Sequence, residues 1–373
     1  MCAKGKAVVS AVCICLLLLA GRQAVRSHVQ HKIPSLAAKE RTLLRIWAIN
    51  APGGAQQWIK QQLKLFEKRQ PGVSTYLRTV SAQELSLPDA VLPDVILYMP
   101  GDIQDPSAFF VPLSGETAAR GGLLQETLLR CGRWRNVQYG LPLCWGAWVL
   151  AIDSTLEPGS ASTPAPTTLL GRPAATSGSA TTPEPGYPLS AAMKADCALQ
   201  SPGGTALFSL GLMLDQPPPL PDNFGTLPSG AVYDAFRKRE CVTAVLTTGQ
   251  AAAFSALTAG GNGFPHRIMT AEEIITDQVW LASVTPDAPP AAALLLSFLA
   301  SADAQKALVS QELHTVRRDL VLYTSGTAAR VEQTARKALC AVNAYIPAAE
   351  VHAAAWQYFT RQLTLDEALL PLL

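Results

Sequence analysis

Charge is scarce in this chain and is nowhere concentrated. Only 16% of the 373 residues are Asp, Glu, Lys or Arg, and 30 basic residues against 28 acidic ones leave a net +2. With no basic stripe there is no electrostatic footprint for nucleic acid, so no nucleic-acid partner is expected. Cysteine pairs are missing as well. Of eight cysteines, Cys2, Cys13 and Cys15 belong to the amino end, and the other five, Cys131, Cys144, Cys197, Cys241 and Cys340, are widely spaced with no C-x-x-C among them. That pattern excludes a zinc knuckle and a disulfide framework; buried free thiols are the expectation, with one bridge open to a chain exported to an oxidising place. Catalytic signatures are also lacking: there is no G-x-S-x-G elbow and no H-E-x-x-H, and Gly260-Gly261-Asn262-Gly263 has neither dinucleotide-binding spacing nor a P-loop lysine. Glu272 and Glu273 read as a helix start, and His28 with His31 forms an H-x-x-H without further ligands. No enzyme activity, cofactor or metal is expected.

What is present begins with a leader. Lys4 and Lys6 precede an apolar run from Ala7 to Ala20, of signal-peptide length and short for a membrane span. Residues 1–24 therefore read as a signal peptide or amino-terminal anchor, and 25–41 as a tether. Export is expected, to the periplasm or the outer face of the cytoplasmic membrane. No lipid-attachment cysteine follows the run.

From Thr42 the chain alternates strand and helix. LLRIWAIN is a strand that ends at Asn50-Ala51-Pro52-Gly53-Gly54. The next segment places Ile59, Leu63 and Phe66 at i, i+4 and i+7 with lysines and glutamines on the other faces, until Pro71-Gly72 stops it. Val73 to Val80 resumes as strand, so the opening is a βαβ unit and predicts a parallel sheet. A third strand, Asp94 to Tyr98, ends at Pro100-Gly101-Asp102. Loops at the carboxyl ends of such strands line ligand crevices, which makes Asn50, Tyr98, Met99 and Asp102 candidates by position. The competing reading of Asn50 and Asp102 is that they only form turns.

Residues 154–190 change composition to Pro, Ser, Thr and Gly and can bury little surface. Beyond them, short helices are expected over Thr205–Leu214, Val232–Arg239 and Thr248–Thr258, and strands over Cys241–Leu246 and Gln278–Val284. Ser301 is placed to cap a helix, and Thr364 with Glu367 forms a capping box.

The most informative stretch runs from Asn136 to Asp153, NVQYGLPLCWGAWVLAID. Gly140 and Pro142 punctuate a turn, and the apolar run after it has the character of a strand covered on both faces. It reads as the place where the polypeptide first crosses from one lobe to another beside a ligand cleft. Alternation along a single strand would turn Trp145 and Trp148 to opposite faces, Trp145 toward the cleft and Trp148 into the core.

In order of occurrence, FEKRQPGV, LPDVILY, YGLPLCWGAWVLAID, SFLASADAQKAL, LHTVRRDL and the closing LTLDEAL resemble segments of the extracellular solute-binding proteins of bacterial ABC importers, in the family that includes maltose-binding protein. Together they cover most of residues 42–373. The chain departs from that pattern after Asp153, where the Pro/Ser/Thr-rich excursion replaces an Asn-Lys stretch and a helix, and in lacking the lipid-attachment cysteine. The resemblance implies an α/β, two-lobed, type II periplasmic-binding-protein-like fold. Lobe 1 would hold 42–144 and 281–315, and lobe 2 would hold 145–280 and 316–373. The crossings would fall at Cys144–Gly146, Asp277–Leu281 and Thr315–Asp319.

The resemblance also implies a monomer that captures a small solute, most often a sugar or oligosaccharide, by closure of the lobes and delivers it to an ABC permease in the membrane. Sugar binders of this kind stack rings on aromatic faces and hydrogen-bond hydroxyls with placed polar groups. By position the aromatic candidates are Trp47, Tyr98, Trp145 and Trp280, and the polar ones Asn50, Asp102, Glu350 and His352, with Met99 beside them. Core packing is the competing reading for each tryptophan. A surface protein that uses the same fold for sensing or protein interaction is the alternative function.

Overall fold

The computed structural model describes residues 41–86, 92–113, 123–155, 197–201, 204–213, 225–228 and 231–373. The expected leader (1–24), nearly all of the tether (25–41) and all of the 154–190 excursion beyond Thr155 lie outside them. Residues Leu43–Leu373 form one compact unit, which holds both main sheets apart from Thr42.

In chain order the strands are β1 (Thr42–Ala48), β2 (Val73–Thr79), β3 (Val95–Tyr98), β4 (Arg133–Trp134), β5 (Val137–Gln138), β6 (Leu141–Trp145), β7 (Trp148–Asp153), β8 (Cys197–Ser201), β9 (Gly225–Pro228), β10 (Thr243–Thr247), β11 (His266–Met269), β12 (Ile274–Thr276), β13 (Val279–Val284), β14 (His314–Thr315) and β15 (Leu339–Ala341). The helices are α1 (Ala55–Arg69), α2 (Glu126–Cys131), α3 (Gly204–Met213), α4 (Ala231–Arg237), α5 (Thr248–Ala259), α6 (Ala291–Leu299), α7 (Ala302–Lys306), α8 (Gly326–Ala335), α9 (Ala348–Phe359) and α10 (Leu365–Leu369).

Two sheets organise two lobes. One has six strands in the order β14-β6-β13-β3-β1-β2, the other five in the order β11-β7-β10-β8-β9. The parallel pairing expected of the opening is present between β1 and β3, with Ile46 opposite Val95. The whole sheet is mixed, however, because β13 returns antiparallel to both β3 and β6. Helix periodicity reads through to packing: Ile59, Leu63 and Phe66 of α1 are all buried, and the Trp58 indole N–H reaches the Ala304 carbonyl at 2.9 Å. The Ser301 cap on α7 and the Thr364–Glu367 box on α10 both form. Glu272 and Glu273 instead stand in a bend before β12.

The chain passes between the sheets at Gly146–Ala147, where β6 gives way to β7. The expected single strand is therefore two strands in two sheets, and side-chain alternation does not carry across the break. Within β7 alternation does hold. Val149 and Ala151 face one apolar cluster, with Phe236 and Phe254, while Trp148, Leu150 and Ile152 face another, with Phe208 and Tyr358. The strand is covered on both sides, as its composition predicted.

Two glycines of the Asn136–Asp153 region and its approach are steric requirements. A Cβ on Gly140 would stand 2.5 Å from the Tyr98 hydroxyl and 2.8 Å from Leu281, and one on Gly132 would overlap the Gly140 carbonyl. Among the described residues no single helix is long and apolar enough to cross a membrane. A bent pair, Ala291–Leu299 with Ala302–Gln311, passes the same test together, and its Leu295, Leu296 and Leu299 are buried in the core.

Candidate functional site

The carboxyl ends of β1 and β3 bring three of the expected residues together. The Asn50 side-chain amide donates to Asp102 Oδ1 at 2.6 Å, and the Met99 backbone N–H donates to Asp102 Oδ2 at 2.8 Å. Burial raises the Asp102 carboxyl above its ordinary range, and these two hydrogen bonds pull against that shift. Asp102 also lines an open pocket of about 350 Å³ shared with Gln83, Gln104, Asp105 and Phe109. Asp105 is set below its ordinary value chiefly by the Ser107 hydroxyl. A half-buried aromatic ring, two carboxylates and two side-chain amides in one concavity provide a stacking face and hydrogen-bonding groups for a polar ligand.

The backbone here is held from behind. Trp280, on β13, donates its indole N–H to the Asn50 carbonyl at 2.7 Å. Gly101, at φ 88°, donates its N–H to the Ala344 carbonyl and lies so near the start of α9 that a Cβ would stand 3.2 Å from Ala348. Tyr98 sits beneath the loop, its hydroxyl 2.8 Å from Ser283 Oγ and 2.9 Å from the Tyr345 hydroxyl. Ser283 in turn donates to the Tyr139 carbonyl and Tyr345 to the Gly132 carbonyl. Three hydroxyl protons thus serve four contacts, so one of the two contacts to Tyr98 is without a proton at any moment.

Three of the four aromatic candidates lie in the interior, which corrects the expectation for those three. Trp145, Trp280 and Tyr98 are 0% exposed, so none shows a ring face to a solute. Trp145 stacks on His314 with ring centroids 4.5 Å apart, and its N–H is taken by the Thr315 carbonyl at 2.9 Å. The physical reason is the break at Gly146: Trp145 ends β6 between β13 and β14, inside the six-stranded sheet. Trp148 is also buried, as expected, and its N–H points to Thr205 Oγ1 and Asp277 Oδ1. Trp47 is half-buried, with the Arg78 guanidinium 5.6 Å from its ring centroid. Glu350 is exposed in the first turn of α9 and His352 is half-buried on the same helix. Among the described residues neither bonds to Asn50, Met99 or Asp102.

Phe109, Gln83 and Gln104 were not singled out by the sequence. The signal for Phe109 and Gln104 was their place in the loop that follows the carboxyl end of β3. Gln83 reaches the pocket from the turn after β2, and only the tertiary fold shows that.

No known sequence family matches the chain, and no curated protein does. Solved structures do. The GacH receptor of Streptomyces glaucescens, studied unliganded and with acarbose, is similar over 88% of this chain and 95% of its own, at 13% identity and a TM-score of 0.58. An ABC substrate-binding protein of Listeria monocytogenes in complex with cycloalternan aligns over 89% and 97%, at 13% identity and 0.57. The sugar-binding protein MalE of Xanthomonas citri aligns over 89% and 95%, at 12% identity and 0.57. The likeness is one of fold: the mixed α/β chain shares the two-lobed, periplasmic-binding-protein-like architecture of these proteins.

Proposed function

We propose that the protein is an extracytoplasmic solute-binding component of an ABC importer, and that its solute is a sugar or oligosaccharide. The observation that carries this reading is the Asn50–Asp102 pair beside the Phe109 pocket, at the carboxyl ends of β1 and β3 in a fold whose solved neighbours hold oligosaccharides. Asp102 and Asn50 are the hydroxyl-recognising pair, Phe109 the stacking face, and Gln83, Gln104 and Asp105 further polar partners. Met99 shapes the loop through its N–H. Trp280 and Tyr98 position the loop without touching solute.

Capture proceeds by closure of two lobes, the first built on residues 42–144 and 281–315 and the second on 145–280 and 316–373. A solute that bridges them favours the closed form through its differential affinity, and an ABC permease recognises that form. The protein works as a monomer, exported and held at or beyond the outer face of the cytoplasmic membrane, and performs no turnover.

A thermal-shift screen of the mature protein against mono- and oligosaccharides, peptides and polyamines tests the reading. Ligand that binds only the folded state raises the melting temperature. A saturable rise with a saccharide that is lost in Asp102→Ala supports it. Silence across the saccharides, or a response confined to peptides or polyamines, overturns it.

A further inference from the structure

A second pocket lies away from Asp102, between α2 and the end of α8. It is an open concavity of about 310 Å³ whose lining includes Gln125, Thr127, Arg318, Arg336 and Lys337; none of its lining residues among the described ones is acidic. Three cations around one concavity are conspicuous in a chain with 30 basic and 28 acidic residues in all. Three nearby carboxylates are engaged elsewhere, while the exposed Glu272 and Glu273, just before β12, add an acidic flank, since β12 pairs with β15 through Ile274 and Leu339. Glu126 pairs with Arg133 at 3.4 Å, and Asp319 takes a bidentate grip from Arg317, its shorter contact 2.6 Å. Glu332 accepts the backbone N–H groups of Leu322 and Tyr323 at 3.1 Å.

Favourable interaction with the carboxyl end of α8 accounts for basic residues at Arg336 and Lys337. It does not account for Arg318, which comes from the segment after β14 and faces the same space. Arg336 further fixes that segment by donating to the Arg318 and Leu320 carbonyls. Arg318 and Lys337 make no ion pair within 4 Å among the described residues. Like charges gathered in a concavity focus a positive field and concentrate anions there.

We propose that this pocket binds a phosphate group, free or as a monoester, with Arg318 and Lys337 supplying the charge and Gln125 and Thr127 neutral hydrogen bonds. Arg336 keeps the Arg318 backbone in place. The residues are distinct from those of the Asp102 pocket, so the sugar site and the phosphate site stand or fall separately.

The test is a melting-temperature titration of the mature protein with inorganic phosphate and with methyl phosphate, against sodium chloride at matched ionic strength. A saturable rise of about 2 °C or more over the chloride control is expected, and it should vanish in the Arg318→Gln, Lys337→Gln double variant. A larger response to methyl phosphate assigns the site to a monoester, and an equal one to the free oxyanion. A rise no greater than that with chloride, or one retained in a double variant that melts cooperatively, overturns the proposal. Phosphorus NMR line broadening of inorganic phosphate reads binding directly: saturable broadening by the unaltered protein that the double variant loses supports the site, and broadening absent from the unaltered protein or retained in the double variant sinks it.

Discussion

His314 lies face to face with Trp145, ring centroids 4.5 Å apart and planes 28° from parallel, at directly opposed positions of β14 and β6. The Tyr323 ring closes another side at 5.3 Å, edge on. The imidazole is wholly buried, and among the described residues neither ring nitrogen has a hydrogen-bond partner. Burial alone pushes its pKa from 6.5 down to about 3, so the ring is neutral in the folded protein.

Acid sensitivity follows from that neutrality. The unfolded chain takes up a proton at His314 as pH falls through 6.5, while the folded protein resists until about pH 3. The stabilisation is therefore complete above 6.5 and is lost on the way down, by about 4 kcal/mol at pH 3. Phenylalanine keeps a stacking ring and removes the titration. Urea midpoints of the wild type and His314→Phe, compared from pH 7 to 4, should diverge, with the variant less acid-sensitive. Parallel curves would remove His314 from the acid response.

Gly140 and Tyr98 make a second measurable pair. A methyl group at Gly140 would press on the Tyr98 hydroxyl at 2.5 Å and on Leu281 at 2.8 Å, inside a region already close-packed. Gly140→Ala should cost about 2 kcal/mol or more. Removing the hydroxyl with Tyr98→Phe relieves the closest contact, so the alanine should cost less in that background. A four-way cycle of denaturant midpoints measures the coupling, and strictly additive costs would show that the hydroxyl is not the obstacle.

Much of this fold can be read in the residues, because local rules decide it. Ile59, Leu63 and Phe66 share a buried helix face, Ser301 and Thr364 cap the helices they precede, and β7 is apolar because both its faces are covered. The parts that could not be read depend on tertiary context. Nothing local says that Gly146 and Ala147 separate two sheets, and once they do, Trp145 belongs to the core. Asn50, Met99 and Asp102, candidates by their position at strand ends, are hydrogen-bonded to one another through Asp102, whereas Trp145, Trp280 and Tyr98, candidates by aromatic identity, use their polar atoms to hold the framework.

Asp277 provides a test at another passage between the sheets, just before β13. Its carboxylate accepts from the Thr205 hydroxyl at 2.7 Å, from Trp148 and Gln278 at 3.1 Å each, and from the Thr205 backbone N–H at 3.3 Å. Asp277→Ala strands these donors and should destabilise the protein by about 2–4 kcal/mol. Asp277→Asn keeps an acceptor and should lose less. Chemical denaturation orders the two variants, and equal costs would show that charge and not hydrogen bonding matters at this position.

Labour is divided at the proposed sugar site between residues that touch solute and residues that hold the loop. Asp102→Ala removes a carboxylate that faces the pocket and should weaken saccharide binding about tenfold or more, the effect of losing a hydrogen bond to a charged group. Trp280→Phe leaves the pocket lining intact but frees the Asn50 carbonyl, so it should weaken binding less and lower stability. Trp145→Phe loses the bond to the Thr315 carbonyl, part of the stacking face on His314 and some core volume. It should reduce stability by about 1–3 kcal/mol and leave affinity unchanged. Calorimetric titration beside thermal melts separates the three. Lost affinity in Trp145→Phe at full stability would return that ring to the ligand site and displace Phe109 as the stacking face.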